Sequence, residues 1–189
     1  RVFFYPTYDT STIIVHEGWN LLSLPLTVPD AHTAIVFPSA VSNAYAYDNG
    51  YVGHDTMAYG RGYWLKFAAA ETVQIVGIWH FPDTLAIVPG WNMMGSVAWN
   101  ADTGEIGQSP DAVVISNYFS YTPGSGYSIS DTIEPGRGYW MKAVSNGTLA
   151  FPPPVPPPQL VFPSDADTGQ PTTLVLRWRQ KEYASSYHL

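Results

Sequence analysis

Hydrophobic and polar positions alternate with a period of two in short runs spread over residues 12–151, broken by Gly, Pro, Asn and Asp. That period marks strands with one face on a core. It predicts strands over residues 12–15, 19–26, 43–48, 62–67 and 72–76, then over 84–88, 91–99, 118–122, 138–144 and 148–151. Asp48-Asn49-Gly50 reads as a hairpin turn, because both central residues of such a turn favour φ > 0. Residues 30–37 depart from the alternation and predict one helical turn with Asp30 as its N-cap.

The second set of strands copies the first. Gly18-Trp19-Asn20-Leu21-Leu22 returns as Gly90-Trp91-Asn92-Met93-Met94, an offset of 72. Tyr45-Ala46-Tyr47 returns as Phe119-Ser120-Tyr121 at 74, and Gly60-Arg61-Gly62-Tyr63-Trp64-Leu65-Lys66 as Gly136-Arg137-Gly138-Tyr139-Trp140-Met141-Lys142 at 76. The offset grows in even steps at turns, and an even step leaves each strand's inward and outward positions unchanged. A unit of about 70 residues is marginal by itself. Two units joined by residues 77–83 are therefore expected to pack together, as a pseudo-two-fold β-sandwich or as a pair of touching barrels, with abutting units and a shared apolar interface favoured.

Residues 152–158 read Pro-Pro-Pro-Val-Pro-Pro-Pro, a run with fixed φ and no proline donors that predicts a stiff linker. The resulting expectation is an all-β chain: a first β repeat over 1–78, a second over 79–151, a proline-rich linker over 152–159 and a further segment over 160–189. That last segment contains Leu160-Val161-Phe162-Pro163, Asp167-Thr168-Gly169-Gln170-Pro171 and Leu174-Val175-Leu176-Arg177-Trp178. It resembles the opening of a fibronectin type III domain, of which roughly three of about seven strands are present. The resemblance implies a protein that continues, and an incomplete sheet through which copies would self-assemble. The tandem motifs in turn resemble β modules of large secreted or surface-attached bacterial proteins. That resemblance implies an extracellular or cell-surface location and no particular activity.

Charge and composition narrow the function classes. Charged residues are only 12% of the chain, about half the usual share. The net charge of −7 and the lack of a basic stripe argue against nucleic acid. With no cysteine, disulfides and thiolate metal sites are excluded. No apolar run approaches the ~20 residues of a membrane-spanning helix. The chain opens at Arg1 without a leader, which reads as a mature or trimmed fragment.

Catalytic patterns are poor, and the expectation is a non-enzyme without metal or cofactor. The five histidines are scattered, and no nucleophile elbow or phosphate loop occurs. Residues 100–105 lack the full ligand series of a calcium loop and read as a solvated turn. Aromatics, at 15%, are the richer material. Trp64 and Trp140 fall on the outward face of their strands, beside Lys66 and Lys142. They serve either as a sugar platform or as packing on Trp19 and Trp91 beneath the lysine stems. Trp79, Trp99 and Tyr59 have no aromatic counterpart in the other copy, so the fold does not demand them twice. They are the preferred candidates for a binding surface or an inter-repeat contact. The leading reading is adhesion or binding of a polysaccharide or cell-surface glycan. The alternative is a structural spacer or a self-assembling subunit of a surface layer or fibre.

Overall fold

The computed structural model describes residues 8–80, 83–154, 159–162 and 177–179. It is all-β, with almost no helix, and its sheets are antiparallel. Residues 1–152 form one compact unit and residues 153–189 another. In the first half of the larger unit, β1 (Tyr8–Val15) and β2 (Gly18–Ser23) precede a single helical turn, α1 (Thr33–Val36). Then come β3 (Ala44–Tyr47), β4 (Tyr51–His54), β5 (Gly62–Phe67) and β6 (Glu71–Ile78). The second half holds β7 (Thr84–Ile87), β8 (Gly90–Met94), β9 (Ala101–Asp102), β10 (Gly107–Ser109), β11 (Tyr118–Thr122), β12 (Gly126–Ser130), β13 (Thr132–Ile133), β14 (Tyr139–Ala143) and β15 (Gly147–Ala150).

The two halves share one strand order. One sheet runs β2-β5-β3-β4 and the other β8-β14-β11-β12, while β1 pairs with β6 and β7 with β15. Repeated residues take the same positions in these ladders: Trp19 faces Lys66 and Trp91 faces Lys142, and Tyr45 faces Trp64 as Phe119 faces Trp140.

The motifs have local physical causes. Asn20 Oδ1 accepts from His16 N, and its Nδ2 donates to the His16 and Gly18 carbonyls; Asn92 makes the same three bonds with Val88 and Gly90. Each Asn thereby closes a turn whose glycine takes φ near +90°, a conformation a Cβ resists. The phenols of the buried Tyr63 and Tyr139 accept from Ala58 N and Glu134 N, each at 2.8 Å, which satisfies a polar tip inside an apolar core.

Each half buries its own core, one around Leu21, Leu22, Tyr63 and Phe67, the other around Val97, Ile133, Tyr139 and Leu149. Met93 and Trp140 of the second half join the first core, and Tyr59 packs against the second. Backbone contacts between the halves are reciprocal. Leu22 bridges Arg137, and Arg61 bridges Met94. Ser23 N donates to Gly136 O at 2.9 Å, Gly138 N to Leu21 O at 3.0 Å, and Gly95 N to Gly60 O at 3.0 Å. At the centre, the buried hydroxyls of Ser23 and Ser96 lie 2.9 Å apart. Ser23 Oγ donates to Arg137 O, and Ser96 Oγ accepts from Gly136 N.

Several predicted elements differ in detail. The strand predicted over 19–26 ends at Ser23 and the one over 91–99 ends at Met94, where both chains turn into the inter-half contact. The N-cap of α1 is His32, not Asp30; the Asp30 carboxylate instead accepts from His32 N at 2.9 Å. Asn49 takes φ 56°, and Gly50 is not in the left-handed region. The short strands β9, β10 and β13 carry too few residues to show a period. In the second unit, β16 (Gln159–Phe162) pairs antiparallel with β17 (Arg177–Arg179), Leu160 opposite Trp178. The remainder of the expected fibronectin-like segment lies outside the described residues.

The Gly-Arg-Gly turn tests this packing. A Cβ on Gly62 would stand 2.7 Å from the Met94 carbonyl oxygen, whereas one on Gly50 would meet nothing within 4 Å. Gly62→Ala is expected to lower the unfolding free energy by about 2 kcal/mol. Gly50→Ala should leave it within about 0.5 kcal/mol. Urea unfolding of the two variants checks both.

Candidate functional site

Alternation sends Tyr45 and Tyr47 of β3, Trp64 of β5 and Trp19 of β2 to the face opposite the core, while Ala44, Ala46, Tyr63 and Leu65 point inward. In the second half Phe119, Tyr121, Trp140 and Trp91 take the same places. The reciprocal contact between the halves turns these two outward faces toward each other. The Trp64 ring lies 4.7 Å from Tyr121 at 81°, and the Trp140 ring lies 4.9 Å from Tyr47 at 71°. Edge-to-face pairs of this kind contribute about 0.5–1.5 kcal/mol each beyond their buried area.

Two open grooves flank these contacts. One, of about 500 Å³, is lined by Trp19, Tyr45, Tyr51, Trp64, Tyr121 and Tyr127. The other, of about 380 Å³, is lined by Trp91, Phe119, Tyr127, Trp140 and Tyr47. Every lining residue is aromatic. Exchanging the halves converts most of one lining into the other: Trp19 for Trp91, Tyr45 for Phe119, Trp64 for Trp140, Tyr121 for Tyr47. Each groove is thus built mainly by one half and completed from the other, the first by Tyr121 and Tyr127 and the second by Tyr47, so that Tyr127 lines both. Trp19 and Trp91 are 40% and 44% exposed, Tyr51 and Tyr127 more so, so apolar ring surface is open to a ligand. Trp140 is 9% exposed, and its Nε1 is enclosed with no hydrogen bond of ordinary geometry among the described residues.

The sequence candidates divide. Trp64 and Trp140 line one groove each. Trp79, Trp99 and Tyr59 line neither. The Trp79 ring lies 5.3 Å from Trp99, and Trp79 Nε1 donates to Asp9 Oδ2 at 2.7 Å. Trp99 is buried, and its Nε1 donates to Pro152 O at 3.1 Å. These two rings join the end of the first half to the second, the inter-repeat alternative. Tyr59 stacks on His80 at 4.6 Å and donates to the buried Asp83 Oδ1 at 2.5 Å. The sequence reasoning did not single out Trp19, Trp91, Tyr45, Phe119, Tyr47, Tyr121, Tyr51 or Tyr127 as a site. Their signal was present as outward aromatics at matching strand positions, but repetition was read as scaffolding.

Among the described residues no group of three or more His, Asp or Glu is placed to hold a metal ion, and no helix is long and apolar enough to cross a membrane. No family model matches the chain, and neither does any curated protein or solved structure compared with it.

Asp83 is the buried carboxylate among the described residues. Burial raises its pKa, opposed by the Tyr59 hydrogen bond and by His80, whose Nδ1 lies 3.4 Å away. A folded pKa above the unfolded value of roughly 3.9 means that the folded state holds the proton more tightly. The favourable contribution is then complete below about pH 4 and is lost as pH rises through the folded value. Asp83→Asn keeps an acceptor for Tyr59 and removes the titration. Its melting temperature should match the parent near pH 3.5 and exceed it at pH 7, in paired thermal melts.

Proposed function

We propose that this chain is a non-catalytic, extracellular β module that binds polysaccharide or a cell-surface glycan within a larger secreted bacterial protein. The observation that carries the reading is the pair of open grooves lined only by Trp, Tyr and Phe. A sugar ring has an apolar face of C–H groups and a polar edge. Stacking that face on indole or phenol buries apolar area at ~25 cal/mol per Å², about 1–2 kcal/mol per ring. Rings held by one another lose little freedom on binding. The two halves are read as one duplicated β unit of sandwich or barrel type, akin to modules of surface-attached bacterial proteins. Residues 160–189 are read as the start of a fibronectin-like domain. The second reading is a spacer or self-assembling subunit of a surface layer or fibre.

The test is retention of the purified chain on cellulose, chitin, xylan and pectin. Retention on at least one is expected. The double variant Trp19→Ala/Trp91→Ala should cut it at least tenfold, from about 1 kcal/mol or more per ring, with unchanged circular dichroism. A folded protein retained on none of them, or retained equally by the double variant, removes the glycan reading from this face and leaves the structural one.

A further inference from the structure

The distribution of positive charge narrows the ligand. Arg61, Lys66, Arg137 and Lys142 are all the Lys and Arg in residues 8–154, and all four belong to the two Gly-Arg-Gly-Tyr-Trp-x-Lys segments. The arginines are engaged: Arg61 pairs with Asp48, and Arg137 Nε lies 3.9 Å from Glu134. Lys66 and Lys142 are exposed and form no ion pair among the described residues. Each stands directly across the ladder from the most open tryptophan of its groove, Lys66 opposite Trp19 and Lys142 opposite Trp91. Directly opposed residues of an antiparallel pair project to the same face with Cβ atoms about 5 Å apart.

Resting on the glycan reading, we infer that the ligand is an acidic glycan, bearing carboxylate or sulfate groups, bound at two equivalent subsites. At each subsite the sugar ring stacks on the groove tryptophan and its anion meets the neighbouring lysine, Trp19 with Lys66 and Trp91 with Lys142. The chain's net charge of −7 does not oppose this. Charges beyond about 8 Å are largely screened at physiological salt, while a lysine in contact with the anion is not. Tyr127 lines both grooves, so the two subsites adjoin, and a polymer that occupies both gains from their linkage.

The experiment titrates the full chain with polygalacturonate and chondroitin sulfate as acidic probes, hydroxyethyl cellulose as the neutral probe, and poly-glutamate as charge without a sugar ring. The acidic glycans should bind best, and affinity should fall as NaCl rises from 50 to 500 mM. Lys66→Met and Lys142→Met keep the apolar stem. Each should weaken acidic-glycan binding about threefold and the pair about tenfold, without altering binding of any neutral glycan. Neutral-glycan binding equal to acidic, or a silent double lysine variant, overturns the inference and leaves the glycan reading intact. Poly-glutamate binding as tightly as the glycans also overturns it, since charge alone would then be recognised. Binding of none of the glycans sinks both.

Discussion

The close approach of each Gly-Arg-Gly turn to the end of the other half's Gly-Trp-Asn strand is the constraint on which the rest depends. Gly60 and Gly136 stand where a Cβ would collide with Leu85 and Ile13 of the opposite half, and Gly62 and Gly138 meet the backbone or side chains of Met94 and Leu21. Only glycine admits that approach. Once it is made, the buried Ser23–Ser96 pair and the backbone bonds to Gly136, Gly138 and Gly60 have their partners. A buried polar cluster satisfied this way is specific, because a small shift leaves several groups unpaired at about 1–3 kcal/mol each. The two cores are nearly separate, so this seam sets how the halves stand.

The seam also makes the aromatic faces useful. An outward row of Trp and Tyr on a lone sheet would be an exposed apolar patch. Here Trp64 packs on Tyr121 and Trp140 on Tyr47, which holds the rings while Trp19, Trp91, Tyr51 and Tyr127 stay open. Trp64 and Trp140 thus serve packing, and Trp19 and Trp91 present the open surface.

Much of the fold was legible in the chain. The alternation placed Tyr63, Leu65 and Phe67 inward and Trp64 and Lys66 outward, and their burial follows that order. The strands over 62–67 and 118–122 coincide with β5 and β11. The site was less legible. Asking which aromatics break the repeat led to Trp79, Trp99 and Tyr59, whose rings join the halves or cover Asp83. A residue present in one copy alone is as well suited to an asymmetric contact between copies as to a ligand, and sequence does not separate the two.

The sequence alone determined that the chain is all-β, where most of the longer strands lie, which of their faces turn inward, and that the Gly-Trp-Asn and Gly-Arg-Gly-Tyr-Trp motifs recur, because a period of two and a repeated turn motif are local properties of the chain. Tertiary structure decided that outward faces of different halves meet, that Tyr47 completes a groove built by Trp91 and Trp140, and that Tyr127 belongs to both. Those facts follow from glycine contacts between segments distant in the chain, from Gly60 on Leu85 to Gly136 on Ile13, and no local pattern encodes which distant carbonyl a missing Cβ makes room for.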